Sequence, residues 1–159
     1  MAILNIVKEG DETLHKVCRP VEAITPRILR LLDDMLDTLH KANGVGLAAP
    51  QVGVLRRLCI VEAEEGEVFE MINPEIIDRR GTQQEIEGCL SIPDQWGYTV
   101  RPAWVKIRAM NRRGEIYEAE GEDLLARAFC HELDHLEGKL FTDEAVRMLT
   151  EEELEAISE

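Results

Sequence analysis

Read as a pattern of apolar and polar positions, the chain begins with a helical stretch, passes through a long β-like middle and returns to helix. In TPRILRLLDDMLDTLHKANG (25–44), Ile28, Leu29, Leu32, Met35, Leu36 and Leu39 recur at intervals that line one helical face. Thr25 stands at the N-cap and Pro26 at the first helical position, where its missing N–H costs nothing; Gly44 lies just past the end. Between 58 and 119 the helical repeat disappears. LCIVEA, VFEMINPEII, QQEIEG and WVKIRAMNRRGEIYEA carry short apolar runs or alternation, as strands do, and NRRG reads as a hairpin turn. Helical spacing resumes from about Glu122 to Glu137, with Gly138 placed to take the left-handed conformation that ends a helix. Thr150 and Glu153 form a capping box for a short last helix. This order, without regular βαβ alternation, predicts an α+β fold.

Composition narrows the class. With no internal repeat and no linker, the 159 residues are expected to form one domain, 1–159. No apolar run is long enough for a membrane span, and MAILNIVKEGDE lacks the basic and apolar regions of a signal peptide, so cytoplasmic residence is expected. In that compartment Cys18, Cys59, Cys89 and Cys130 are expected to be unpaired. The net charge is −14, with acid concentrated in EAEEGEVFE (62–70) and TEEELEAISE (150–159). Such a surface repels polyanions, and direct nucleic-acid binding is not expected.

The chemistry-bearing stretch is HELDHLEG (131–138). Residues four apart share a helical face, so His131 and His135 can bind one metal ion, while Glu132 projects to the side and can handle the proton of a metal-bound water. A third histidine is missing, because Phe141 stands where one class of such enzymes would carry it. The tail glutamates Glu152, Glu153 and Glu155 read as a solvated helical face, and Asp134 suits an outer role, orienting a ligand or pairing with a basic residue. Among the cysteines, Cys59 lies in an apolar strand, Cys18 has no catalytic company and Cys130 projects to another helical face. Cys89, in EGCLS beside the open backbone of Gly88, can complete a two-histidine, one-cysteine site with a position left for water. GVGLAAPQ (44–51) matches a dinucleotide fingerprint in spacing, but it follows a helix and Pro50 would sit inside the helix it should open. It reads either as a tight turn or as a substrate-lining loop with Gln51 as an amide donor.

GVGLAAPQ, EGCLS and HELDHLEG, in this order, resemble the three signature motifs of the peptide deformylase family, and MINPEII, SIPDQWGYTVRPAWVKIRAMNRRGE and GKLFTD extend the resemblance along the chain. The resemblance implies small antiparallel sheets around a central helix carrying the two histidines. It implies Cys89, His131 and His135 as ligands of one divalent metal ion, usually iron(II), with zinc, nickel or cobalt also accepted. Glu132 becomes the general acid/base, and the Gln51 amide with the Leu90 backbone N–H becomes the oxyanion hole. Val45, Gly46 and Gly88 are the expected substrate contacts. The implied reaction hydrolyses the formyl group from the formylmethionine of polypeptides emerging from the ribosome. A related metal-dependent amidase acting on another N-formyl or N-acyl amine is the neighbouring reading. Three features depart from the family: Cys130 stands where glutamine is common, Arg127 either enters the methionine pocket or faces solvent, and the acidic tail makes ribosome docking through a basic C-terminal helix unexpected.

Overall fold

The computed structural model describes residues 2–158; Met1 and Glu159, the last residue of the acidic tail, lie outside the described residues. A 3-10 turn (Glu12–His15) precedes α1 (Pro26–Ala42), β1 (Gly46–Ala48), a second 3-10 turn (Ala49–Val52), β2 (Leu58–Val61) and β3 (Phe69–Arg80). Then follow β4 (Gln83–Cys89), β5 (Ile92–Arg101), β6 (Trp104–Met110), β7 (Ile116–Glu122), α2 (Asp123–Leu136), α3 (Phe141–Glu144), β8 (Arg147–Met148) and α4 (Glu151–Ser158). The strands form an antiparallel five-stranded sheet, β1-β2-β3-β6-β7, and an antiparallel three-stranded sheet, β4-β5-β8. The fold is α+β, as expected.

The alternation of β2 explains how the layers assemble. All four of its residues are buried. Leu58 and Ile60 pack with Leu32, Met35 and Leu39 of α1, whereas Cys59 and Val61 pack with Phe129, Leu133 and Leu136 of α2. The two helices therefore cover opposite faces of the larger sheet. Nine of the fourteen α2 residues are buried, which is what a helix covered on nearly every side requires. Its remaining flank meets β5 of the smaller sheet.

The ends of the elements follow local chemistry. The Thr25 hydroxyl accepts from the Ile28 N–H at 3.3 Å. At the other end of α1 the left-handed residue is Asn43 (φ 55°), not Gly44. The NRRG turn forms with Asn111 Oδ1 accepting from the Arg113 and Glu115 amides. Gly138 has φ 76°, and a Cβ there would lie 2.7 Å from the His15 carbonyl oxygen. Both arms of the Thr150–Glu153 capping box are made, at 3.1 and 3.2 Å. Two elements depart from the pattern reading. SIPDQWGYTVR holds a ten-residue strand, β5, hidden because Pro93 and Gly97 break its alternation and four consecutive residues are exposed. GVGLAAPQ is more than a turn: Gly46–Ala48 pair with β2 as β1, the edge strand of the larger sheet.

Candidate metal centre and its cleft

The helical repeat of α2 stacks His131 and His135 so that their Nε2 atoms face each other 3.2 Å apart. β4 ends at Cys89, whose Sγ lies 3.5 Å from His135 Nε2. The three ligand atoms all fall within 4.8 Å of one another. Tetrahedral bonds of about 2.0–2.1 Å to nitrogen and about 2.3 Å to sulfur would hold two nitrogens about 3.3 Å apart and nitrogen and sulfur about 3.6 Å apart. The donor set therefore fits one metal ion. Cys59 and Cys130 lie instead in the core between α2 and the larger sheet, and all four cysteines are free. Burial pushes the Cys18 and Cys130 thiols up to about 11.

Behind the metal ligands lies a buried charge network. A register shift between Glu87 and Cys89 marks a β-bulge at Gly88, the kind of irregularity that re-aims side chains. Glu87 Oε2 sits 2.5 Å from His131 Nδ1, which leaves Nε2 of that ring directed at the site. The same carboxylate accepts from Thr99 Oγ1 at 2.8 Å and from Arg101 Nε and Nη2 at 3.1 and 2.7 Å. Arg101 Nη1 in turn donates to Asp134 at 2.5 Å, so Asp134 pairs with a basic residue. Burial alone would raise Glu87, but the bonds from His131 and Arg101 outweigh it and hold the carboxyl at about 2. For His131, burial opposes the charged form, yet Glu132, Cys89 and Glu87 prevail and raise it well above its ordinary value. Burial, together with the charge on His131, drives His135 well below. Negative groups thus surround a buried imidazole pair, a setting that suits a cation.

Glu132 is 3% exposed, and its Oε1 has no hydrogen-bond partner among the described residues. Burial pushes this carboxyl up to about 7, against the pull of His131. Its position depends on a glycine, because a Cβ at Gly46 would collide with the carboxylate. Gln51 is clamped from both ends. Its Oε1 accepts from the Ala48 N–H at 3.0 Å, and its Nε2 donates to Ser91 Oγ at 3.1 Å while lying 3.6 Å from Cys89 Sγ. Leu90 and Ser91 form the turn between β4 and β5, directly after Cys89.

These groups open into a cleft of about 400 Å³, with Ile86, Leu124 and Ala128 on its apolar wall and Val45, Gly46 and Gly88 along its length. The Val45 carbonyl accepts from the Glu62 N–H. Alternation along an antiparallel ladder then turns the N–H and C=O of Gly46 away from β2, toward the cleft. β4 is likewise an edge strand, so two unpaired edges flank the same opening. Trp96 lies so close over Gly88 that a Cβ there would sit 2.5 Å from the indole. Arg127 lines the cleft and is anchored to Gln83 Oε1 at 2.7 Å. The nine candidate residues named from the sequence therefore gather at one place. The network of Glu87, Thr99 and Arg101 went unread. Its one sequence signal was a glutamate two residues before Cys89 on an alternating strand.

A family model described as polypeptide deformylase matches residues 3–151. The chain is similar to a peptide deformylase of Acetivibrio thermocellus, with 53% identity over 98% of this chain and 91% of that protein. It is 52% identical to one of Caldanaerobacter subterraneus subsp. tengcongensis, over 100% of this chain and 99% of the other. Among solved structures, peptide deformylase from Thermotoga maritima superposes with TM-score 0.88 at 36% identity, covering 91% of this chain and 99% of that one. A peptide deformylase from Legionella pneumophila gives TM-score 0.88 at 38% identity, over 99% and 96%.

Proposed function

The chain belongs to the polypeptide deformylase family, and from that premise we propose that this hydrolase removes the formyl group from the N-terminal formylmethionine of nascent polypeptides, releasing formate. One divalent metal ion per chain is part of the proposal, iron(II) in the cell, with zinc, nickel or cobalt able to replace it. So are a single catalytic domain, 1–159, and a cytoplasmic location. No described helix is long and apolar enough to cross a membrane.

The observation that carries the reading is convergence: Cys89, His131 and His135 meet at the cleft that the clamped Gln51 amide and Glu132, whose Oε1 has no partner among the described residues, also line. A metal ion held by Cys89, His131 and His135 would supply an acidified water and polarise the formyl oxygen. Glu132 takes the proton of the attacking water and delivers it to the departing nitrogen. The Gln51 amide and the Leu90 N–H donate to the formyl oxygen as negative charge develops on it, and the Ala48 bond keeps the Gln51 amide from turning away. Val45, Gly46 and Gly88 hold the substrate extended between two strand edges, as in β-augmentation. The apolar wall of Ile86, Leu124 and Ala128 takes an unbranched, polarisable side chain such as methionine's.

The test is Glu132→Ala in metal-loaded protein, assayed on formyl-methionyl and acetyl-methionyl peptides. The variant is expected to keep its metal and lose about 10²–10⁴-fold in formate release. Near-native release would remove Glu132 from the reaction. Faster cleavage of the acetyl peptide by the native chain would favour the neighbouring amidase reading.

A further inference from the structure

Away from the cleft, the fold gathers positive charge that the sequence scatters. Arg19, Arg27, Arg30 and Arg56 line one groove of about 620 Å³ with a floor of Ile28, Leu31, Val54 and Leu55. Arg19 and Arg56 are held side by side by an isolated parallel bridge, in which the Arg19 N–H donates to the Leu55 carbonyl at 3.2 Å and the Arg57 N–H to the Arg19 carbonyl at 2.8 Å. Arg27 and Arg30, three apart on the first turns of α1, present neighbouring positions of one helical face. None of the four forms an ion pair among the described residues, whereas Arg57, Arg101, Arg112 and Arg147 each do. The groove's one carboxylate, Asp34, accepts from the Ala2 N–H at 2.9 Å. The first turn of α1 also lacks any acidic residue, although the helix dipole favours one there. Cationic side chains thus add to the positive end of the helix.

We propose that this face docks the phosphate backbone of RNA. All four cations are arginines, whose planar fork suits phosphate oxygens. Three of them are exposed and Arg56 is half-buried, so they border an open surface and do not enclose a small anion. A chain carrying −14 is repelled by a polyanion overall, so contact through this groove also orients it. The choice of RNA over an acidic protein rests on the reading that the substrate is a nascent chain, which emerges from a particle built largely of RNA. The groove lies at the N-terminal end of α1, and Asn43 and Gly44 at the other end line the catalytic cleft. At 1.5 Å per residue Arg27 and Arg30 stand about 20–24 Å along the helix from Asn43, so docking through them leaves the cleft open.

The experiment measures binding of the metal-loaded full chain to a fluorescent RNA hairpin across a salt series, with formate release from a free formyl-methionyl peptide followed separately. Binding is expected to weaken with salt at a slope of about −3 to −4, matching four phosphate contacts. Arg19→Gln, Arg27→Gln, Arg30→Gln and Arg56→Gln should each reduce the slope by about one. Arg27→Glu combined with Arg30→Glu should abolish binding at low salt, while formate release and thermal midpoint stay native. Arg79→Gln, on an exposed stretch of β3, should leave binding unchanged. No binding at low salt overturns the proposal. An equal loss in Arg79→Gln, or equal competition by poly-glutamate, overturns the assignment of this groove to RNA. Formate release is read independently, so a failure of either reading shows by itself.

Discussion

Glu87→Gln keeps the shape of a side chain that accepts four hydrogen bonds and removes its charge. Two losses follow. Arg101, 6% exposed, would keep Asp134 as its only anionic partner. Removing one member of a buried ion pair costs about 3–5 kcal/mol, and the surviving Asp134 bond puts the expectation near the lower end, about 3 kcal/mol. For a chain of this length that lowers the melting midpoint by roughly 6–12 °C. His131 also loses the carboxylate that holds its Nδ1, and loss of such a partner weakens metal affinity by about 10–100-fold. The assay is a chelator competition with zinc, run beside a thermal melt of the same preparation. At saturating metal much of the turnover should return, because Glu87 bears on the site through His131 Nδ1 and is not one of the three candidate ligands. A variant with native metal affinity and a native melting midpoint would refute the role assigned to this network.

Two further perturbations separate catalysis from support. Gln51→Ala is expected to lower kcat by about 10²–10³-fold with metal content intact, and to cost about 1–3 kcal/mol of stability by stranding the buried Ala48 N–H; a near-native kcat in the folded fraction would leave Gln51 a purely structural role. The Glu153 carboxyl is held at about 2, chiefly by Arg147 and then by the Thr150 N–H. The folded state therefore keeps this group ionised when the unfolded state has begun to protonate. Its support for α4 is complete above the ordinary value of 4.5 and is lost as pH falls toward 2. Amide exchange in α4, corrected for intrinsic rates, should rise across that window, and an identical rise in Glu153→Gln would count against the assignment.

What was legible in the sequence was what periodicity and capping chemistry encode locally. α1, α2 and the NRRG turn each depend on neighbouring residues, and Thr25, Gly138 and the Thr150–Glu153 box mark ends that local hydrogen bonds create. Gly44 lies just past the end of α1, and the left-handed cap itself is Asn43, a residue type that tolerates that conformation. β5 was unreadable because its exposure does not alternate, and β1 because three residues carry no period. The candidate site was legible where rare residue types stand at short spacing, as in His131, Glu132 and His135. Glu87 and Arg101 lie fourteen positions apart and meet only because β4 and β5 pair, so no local signal joins the one to the other. The arginine groove is a third case: Arg19, Arg27, Arg30 and Arg56 come from three segments, and an overall charge of −14 conceals them.

The most direct measurement of the central claim is made on protein purified without oxygen: metal content per chain, together with formate released from a formyl-methionyl peptide. One divalent ion per chain is expected, bound through sulfur and two imidazole nitrogens by X-ray absorption, with one formate released for each free amine formed. In Cys89→Ala both metal and formate should fall together. A native chain with a full complement of metal that releases no formate, or a Cys89→Ala variant that keeps both metal and turnover, would contradict the account.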